Sequence, residues 1–303
     1  MTRLVIADCR SILTIDTTVY KGVNAAGYHE YHSRSVSLSN RPSQYLIMST
    51  ETVLVVGATG NIGVSTVQAA LRSKRNVLAI IRNQNSADKL IRHIGSSQGI
   101  TLVEADVLSE TGVRDVVEQV RAGKLPAFQH VYAAGEMPFL CRQTSHTDIS
   151  SVGGEYVTVP LSETTPERLR INMKTTFETN YLAYLYTIDY LREQGSPTSW
   201  TICTGSQGDL ATHPLPAMAQ GALFSMSIAS ARENLETNVR FNEIYLGFRV
   251  EVDESAVQHP GVIKASEFGH VYETLLDKPE IRSSRVWVQT PEDIKELKYT
   301  RRF

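Results

Sequence analysis

The chain has 303 residues, of which 42% are hydrophobic and 20% charged, and its formal net charge is −2. This ordinary globular balance excludes an electrostatic footprint for nucleic acid, and no apolar run approaches the roughly 20 residues of a transmembrane helix. Three widely spaced cysteines, Cys9, Cys141 and Cys203, match neither a disulfide framework nor a metal site, so a reduced, cytoplasmic protein without metal is expected.

Residues 1–47 show no sustained period of 2 or 3.6 residues and end in SRSVSLSNRPS, a polar linker composition. Asp8, Asp16 and Glu30 argue against a transit peptide, and there is no apolar signal segment. Met48 then precedes STETVLVVGATG by the usual distance between a start codon and a first strand. The expectation is that Met48 is the natural start and 1–47 a gene-model extension or a disordered arm; a genuine arm packed on the domain is the other reading.

From residue 48 onward, short apolar runs alternate with amphipathic stretches, the mark of a parallel α/β sheet. Strands are predicted at Val53–Val56, Val77–Ile81, Thr101–Val103, His130–Ala133, Trp200–Cys203, Phe241–Tyr245 and Val286–Val288. Helices are predicted near Ile62–Ser73, Ala87–His93, Glu110–Ala122, Pro166–Gln194, Ala217–Glu236, Ala265–Leu276 and Pro291–Leu297. Together they predict one doubly wound Rossmann domain over 48–303, with a central, mostly parallel seven-stranded sheet.

TVLVVGATGNIG at 52–63 reads as the first strand and phosphate-binding turn of that domain. Gly57, Gly60 and Gly63 lie between strand and helix, where glycine permits a sharp turn and lets backbone N–H groups approach a pyrophosphate at a helix N-terminus. Gly57, Thr59, Gly60, Asn61, Ile62 and Gly63 are the expected contacts. Where an NAD site offers a carboxylate to the ribose 2′-hydroxyl, the second strand ends in Arg82, a cation suited to a 2′-phosphate. The expected cofactor is therefore NADP(H).

GATGNIG, Asp106 after the third strand and Ala133-Ala134 after the fourth together resemble the short-chain dehydrogenase/reductase superfamily, especially its atypical members. The resemblance covers nearly all of 52–290. It implies that Asp106, with Val107, lies against the adenine and that Ala133 and Ala134 lie against the nicotinamide ribose. Its catalytic half departs from the pattern. The family's Asn looks retained as Asn180, and its Ser region matches TICTGSQGD, with Thr204 or Ser206 supplying a hydroxyl. Aligned on AQGA, however, the Tyr and Lys positions hold Pro216 and Gln220, and no Tyr-x-x-x-Lys occurs between 199 and 250. Proline has no proton to give, and a glutamine amide cannot acidify a phenol.

Asn180, Ser206, Asp209, His213 and Tyr156 are the candidate catalytic residues, because the carboxyl edge of a parallel sheet faces the ligand. Three readings stand. One is a divergent, fungal-type reductase acting on a carbonyl or imine of a small secondary metabolite through an unconventional proton donor. Another is a non-redox cyclase or isomerase on the same fold. The third is an NADP-sensing protein like the NmrA-type regulators. The small-molecule substrate is expected over Ser206–His213 and around Gly154–Tyr156. A homodimer through the Pro166–Gln194 and Ala217–Glu236 helices would use Ala222, Leu223, Met226 and Ile228, although a core face explains these equally well.

Residues 135–151, GEMPFLCRQTSHTDISS, interrupt what should be a short loop; without them the chain reads HVYAA-VGGEYVTVP. Codons for Gly135-Glu136, Thr147-Asp148 and Ser151-Val152 are able to spell a splice donor, branch point and acceptor in frame, so a retained intron is expected. The rival is an Ala-Gly turn followed by a substrate loop. Nucleotide sequence that cannot spell those sites would end the intron reading.

Overall fold

The computed structural model describes residues 51–133 and 159–303, together with four short strands between residues 5 and 32. The chain divides into two units, Met1–Ile47 and Met48–Phe303. In the first, Val5–Asp8 pairs antiparallel with Ser11–Thr14, and Tyr20–Val23 with His29–His32. Ala134, the 135–151 segment and Tyr156 lie outside the described residues.

The second unit alternates strand and helix. β1 (Thr52–Val56) leads to α1 (Asn61–Arg72), β2 (Asn76–Ile81) to α2 (Gln84–Ile94), and β3 (Ile100–Glu104) to α3 (Gly112–Arg121). β4 (His130–Ala133) is followed by α4 (Pro166–Asn172) and α5 (Thr179–Glu193), then β5 (Thr198–Gly205) and α6 (Pro214–Glu233). β6 (Val239–Leu246), α7 (Ala265–Asp277), β7 (Ser284–Val288) and β8 (Lys298–Arg301) complete it. The strands form one sheet in the order β8-β7-β6-β5-β4-β1-β2-β3. β1 to β7 are parallel, and β8 runs antiparallel on β7.

This is the doubly wound order. Because the chain moves outward from β1 in both directions, a crevice opens at the carboxyl ends of β1 and β4. Both faces of the sheet are covered, which is why β1, TVLVV, carries the unbroken apolar run Val53–Val56 and is buried throughout. Val53 and Val55 point into one layer with Tyr132, Ile244 and residues of α1 and α7. Leu54 and Val56 point into the other, with Trp200, Ile202, Phe241 and residues of α3, α5 and α6.

The sheet has eight strands rather than seven. The last, KYTR, carries no apolar run, because an edge strand needs no buried face, and all four of its residues are exposed. The predicted final helix shortens to a 3-10 turn, Pro291–Ile294, closed by a capping box between Thr290 and Asp293. The long helix predicted over Pro166–Gln194 is broken by six residues of π-helix, Met173–Glu178.

Candidate functional site

The first strand is followed by Gly57, whose φ of 84° lies in the left-handed region and turns the chain. The Gly60 N–H closes that turn on the Gly57 carbonyl at 3.2 Å, and Val64 N–H on the Gly60 carbonyl at 2.8 Å opens α1. A Cβ on Gly63 would stand 2.0 Å from the Gly57 carbonyl oxygen, so helix and strand pack too closely there for any side chain. A Cβ on Gly60 would meet the same oxygen at an ordinary 3.6 Å. The backbone turn thus requires Gly57 and the packing requires Gly63, but neither explains the bare backbone of Gly60.

α1 begins with no side-chain cap and no acid in its first turn. Its leading N–H groups suit an anion, and the macrodipole reinforces them. Thr59 and Ile62 are buried, Ile62 in the core, so Ile62 offers a ligand only its backbone. The Asn61 side chain is engaged elsewhere: its Oδ1 accepts the Val252 N–H at 3.0 Å.

Arg82 follows the last residue of β2, partly buried, and Asn83 caps α2 by accepting the Ser86 N–H at 3.0 Å. After β3, Asp106 is exposed, and its Oδ1 accepts the Leu108 N–H at 2.9 Å. Val107 is buried in the core. Ala133 ends β4, paired with Val56 on one side and Ile202 on the other. Glycine turn, Arg82, Asp106 and Ala133 therefore lie along one edge of the sheet.

Beyond β5 the polar groups are tightly tied. The Thr204 hydroxyl lies 2.9 Å from Oε1 of Glu243 and 3.2 Å from the Ile244 carbonyl, so it is already committed. Glu243, fully buried in β6, also receives the Arg285 fork through two bonds of 3.0 Å and a further bond from Arg302. The Ser206 N–H bonds the Leu246 carbonyl at 2.9 Å, tying β5 to β6. Pro216 and Gln220 are both buried on α6, and Gln220 Oε1 accepts the Gly205 N–H at 2.8 Å. Gln220 thus holds the end of β5.

His213 stands at the N-cap of α6, with its N–H and Nδ1 each 3.3 Å from Gln207 Oε1. Asp209 is exposed and lies close enough to raise the phenol of Tyr245, a residue with no signal in the sequence beyond its place in a strand. Burial, and then the Asp209 carboxylate, push that phenol up to about 12, so it keeps its proton through neutral pH. The Cys203 thiol is likewise pushed up to about 12 by burial and is no nucleophile.

Asn180 is buried on α5 just past the π-helical segment. Its Nδ2 donates to the Thr176 carbonyl at 2.7 Å, while its Oδ1 has no partner. Eight residues earlier, Asn172 is also buried, and neither half of its amide is bonded. Sequence reasoning missed Asn172, because the π segment that aligns the two has no simple periodic signature.

Among the described residues no group of His, Cys, Asp or Glu is arranged to hold a metal, and no helix is long and apolar enough to cross a membrane.

Residues 49–123 match the model of the NmrA-like family. The short-chain dehydrogenase/reductase iacG of Pestalotiopsis fici is 51% identical over 254 residues, covering 82% of this chain and 96% of that protein. Among solved structures, a short-chain dehydrogenase/reductase, glucose/ribitol dehydrogenase from Brucella melitensis, superposes with a TM-score of 0.60 at 18% identity. That match covers 79% of this chain and 94% of the other, a likeness of fold.

Proposed function

The chain belongs to the short-chain dehydrogenase/reductase family, and from that premise we propose that it binds NADP(H) and reduces a carbonyl or imine of a small secondary metabolite. The family implies a nicotinamide cofactor. The observation that carries the reading is Gly60: a glycine not needed by its own neighbours, at an uncapped helix N-terminus, leaves room for a pyrophosphate against the backbone. Arg82 favours the phosphorylated cofactor, since a guanidinium pairs with a 2′-phosphate through charge-assisted bonds.

In this reading Gly57, Thr59, Gly60, Asn61, Ile62 and Gly63 surround the pyrophosphate, with Asn61 and Ile62 acting through the backbone. Asp106 and Val107 flank the adenine, and Ala133 and Ala134 the nicotinamide ribose. When bound, the cofactor supplies hydride. Proton delivery falls to Ser206, Asp209 and His213 on the same edge, with Tyr156 a further proposed participant and Asn180 lining the cleft.

A second reading, cofactor binding without redox turnover, as a sensor or a cyclase or isomerase, draws support from Pro216 and Gln220 at the places of the usual Tyr and Lys. A homodimer is proposed through α5 and α6, where Tyr181, Leu185, Met218 and Ile228 are exposed. Leu223 and Met226 face the core instead.

The test is titration with NADPH, NADP⁺ and NADH, followed by absorbance at the reduced nicotinamide band with carbonyl and imine acceptors. NADPH is expected to bind at least about tenfold tighter than NADH, and Arg82→Ala to abolish the difference, a charge-assisted contact being worth roughly 1.5–3 kcal/mol. Absence of binding sinks the cofactor assignment; binding without oxidation favours the second reading.

A further inference from the structure

The crossover between β4 and β5 joins two parallel strands, so its helix runs against them and sets its first turns over the carboxyl edge of the sheet. Asn172 ends α4 at that level. There α4 and the π segment pack against α6, the helix that carries Pro216 and Gln220. In an unbroken α-helix Asn172 and Asn180 would diverge by roughly 80°, since eight residues overshoot two turns by that angle. The π segment takes up about one extra residue of rotation and returns the two amides to nearly the same face.

The result is unusual for a protein interior, where buried amides are bonded. Asn172 is 3% exposed with both polar atoms unpaired, and Asn180 is 2% exposed with a free oxygen. Together they offer one NH₂ donor and two acceptor oxygens. A carboxylate would face two oxygens and one donor. A neutral group carrying a hydroxyl or N–H beside a carbonyl matches the donor and the oxygen of Asn172 together.

We propose that Asn172 is a specificity-determining residue that bonds the substrate, which is therefore a carbonyl compound bearing a hydroxyl or N–H donor next to the reacting carbon. This rests on the reductase reading above. The π segment exists to bring a second amide to the face that Asn180 already occupies. Asn172 costs the empty fold stability and is recompensed by the ligand.

Thermal unfolding of the full chain is compared for the wild type, Asn172→Leu and Asn234→Leu. Asn234 is the control, a buried Asn whose Nδ2 bonds the Tyr184 hydroxyl and the Ser230 carbonyl, each at 2.8 Å. Asn172→Leu is expected to melt at or above the wild type and Asn234→Leu clearly below it. A fall for Asn172→Leu like that of the control makes the amide a structural partner and overturns the proposal.

Specificity is read with NADPH and two probe pairs, cyclohexanone against 2-hydroxycyclohexanone and acetophenone against 2-hydroxyacetophenone. The wild type should prefer the hydroxylated members by about tenfold or more in kcat/KM. Asn172→Leu should lose that preference through KM, with NADPH affinity unchanged; a preserved preference overturns the proposal. A wild type that binds NADPH but reduces no probe counts against the reductase reading. The same pairs are then compared as ligands by saturation-transfer NMR. There a hydroxyl preference abolished by Asn172→Leu supports the proposal, and equal binding or none overturns it.

Discussion

The two edges of the sheet treat polar groups differently. At the amino edge charges meet charges. Glu51 accepts Arg75 Nε at 2.8 Å and lies 3.3 Å from His130 Nε2. Arg75 also reaches Asp277 at 3.0 Å, and His130 Nδ1 is 2.8 Å from the Ser199 hydroxyl. Buried Arg240 donates to the Leu275 and Lys278 carbonyls at 3.1 Å, capping the end of α7 with a cation. At the carboxyl edge Gly60 is bare, α1 is uncapped, and the amides of Asn172 and Asn180 are left open. Ionisable clusters alone are therefore a poor guide to function in this molecule. The amino-edge charges pair with one another and read as stability, whereas the carboxyl edge, with its bare glycine, uncapped helix and two open amides, reads as the place for a ligand.

A matched set also lies toward the carboxyl edge, around Glu243, and removing one of its members tests the stability of such sets most severely. Arg285→Ala leaves Glu243 buried with only Arg302 and Thr204, and a loss of about 3–5 kcal/mol is expected in chemical denaturation. A loss below about 1 kcal/mol would mean that the charge network does not hold the fold. The glycine turn sharpens the contrast within one motif. Gly63→Ala should cost roughly 3 kcal/mol, because its Cβ has no room. Gly60→Ala should leave the denaturation midpoint nearly unmoved while weakening NADPH binding about tenfold. Equal effects on stability from the two substitutions would collapse the distinction.

The smallest effect expected is at acid pH. The His130 imidazole, its Nε2 3.3 Å away, with help from Arg75 and against burial, holds the Glu51 carboxyl at about 2, below its ordinary 4.5. A depressed carboxyl stabilises the fold above 4.5, and that contribution drains away as pH falls from 4.5 toward 2. Burial lowers the His130 imidazole, so below its ordinary 6.5 the unfolded chain takes up a proton that the folded one resists, again favouring unfolding in acid. Glu51→Gln should flatten the 4.5-to-2 limb of a stability–pH curve, modestly, since the carboxylate is 40% exposed. An unchanged limb would remove Glu51 from the matched set.

Much of the fold was legible because its signals are local. TVLVV is a two-sided buried strand, and each predicted strand in 48–303 falls on an observed one. What escaped depends on register or on subtle backbone change. Glu243 within FNEIY looks misplaced until β7 pairs with β6 and sets Arg285 opposite it. The π segment hides in a helix-like stretch. Its one hint is threonines turned back on the helix, Thr175 to the Ile171 carbonyl at 2.9 Å and Thr179 to the Thr175 carbonyl at 2.8 Å, bonds known to bend helices. Tyr245 reads as strand core from sequence, and only the fold brings it to Asp209.

The bond from Val252 N–H to Asn61 spans 191 residues of chain. On a ribosome adding roughly 5–20 residues per second, the partner of Asn61 arrives about 10–40 s after the glycine turn has been made. The most recognisable motif in this protein is thus written well before the residue that ties its Asn61 side chain down.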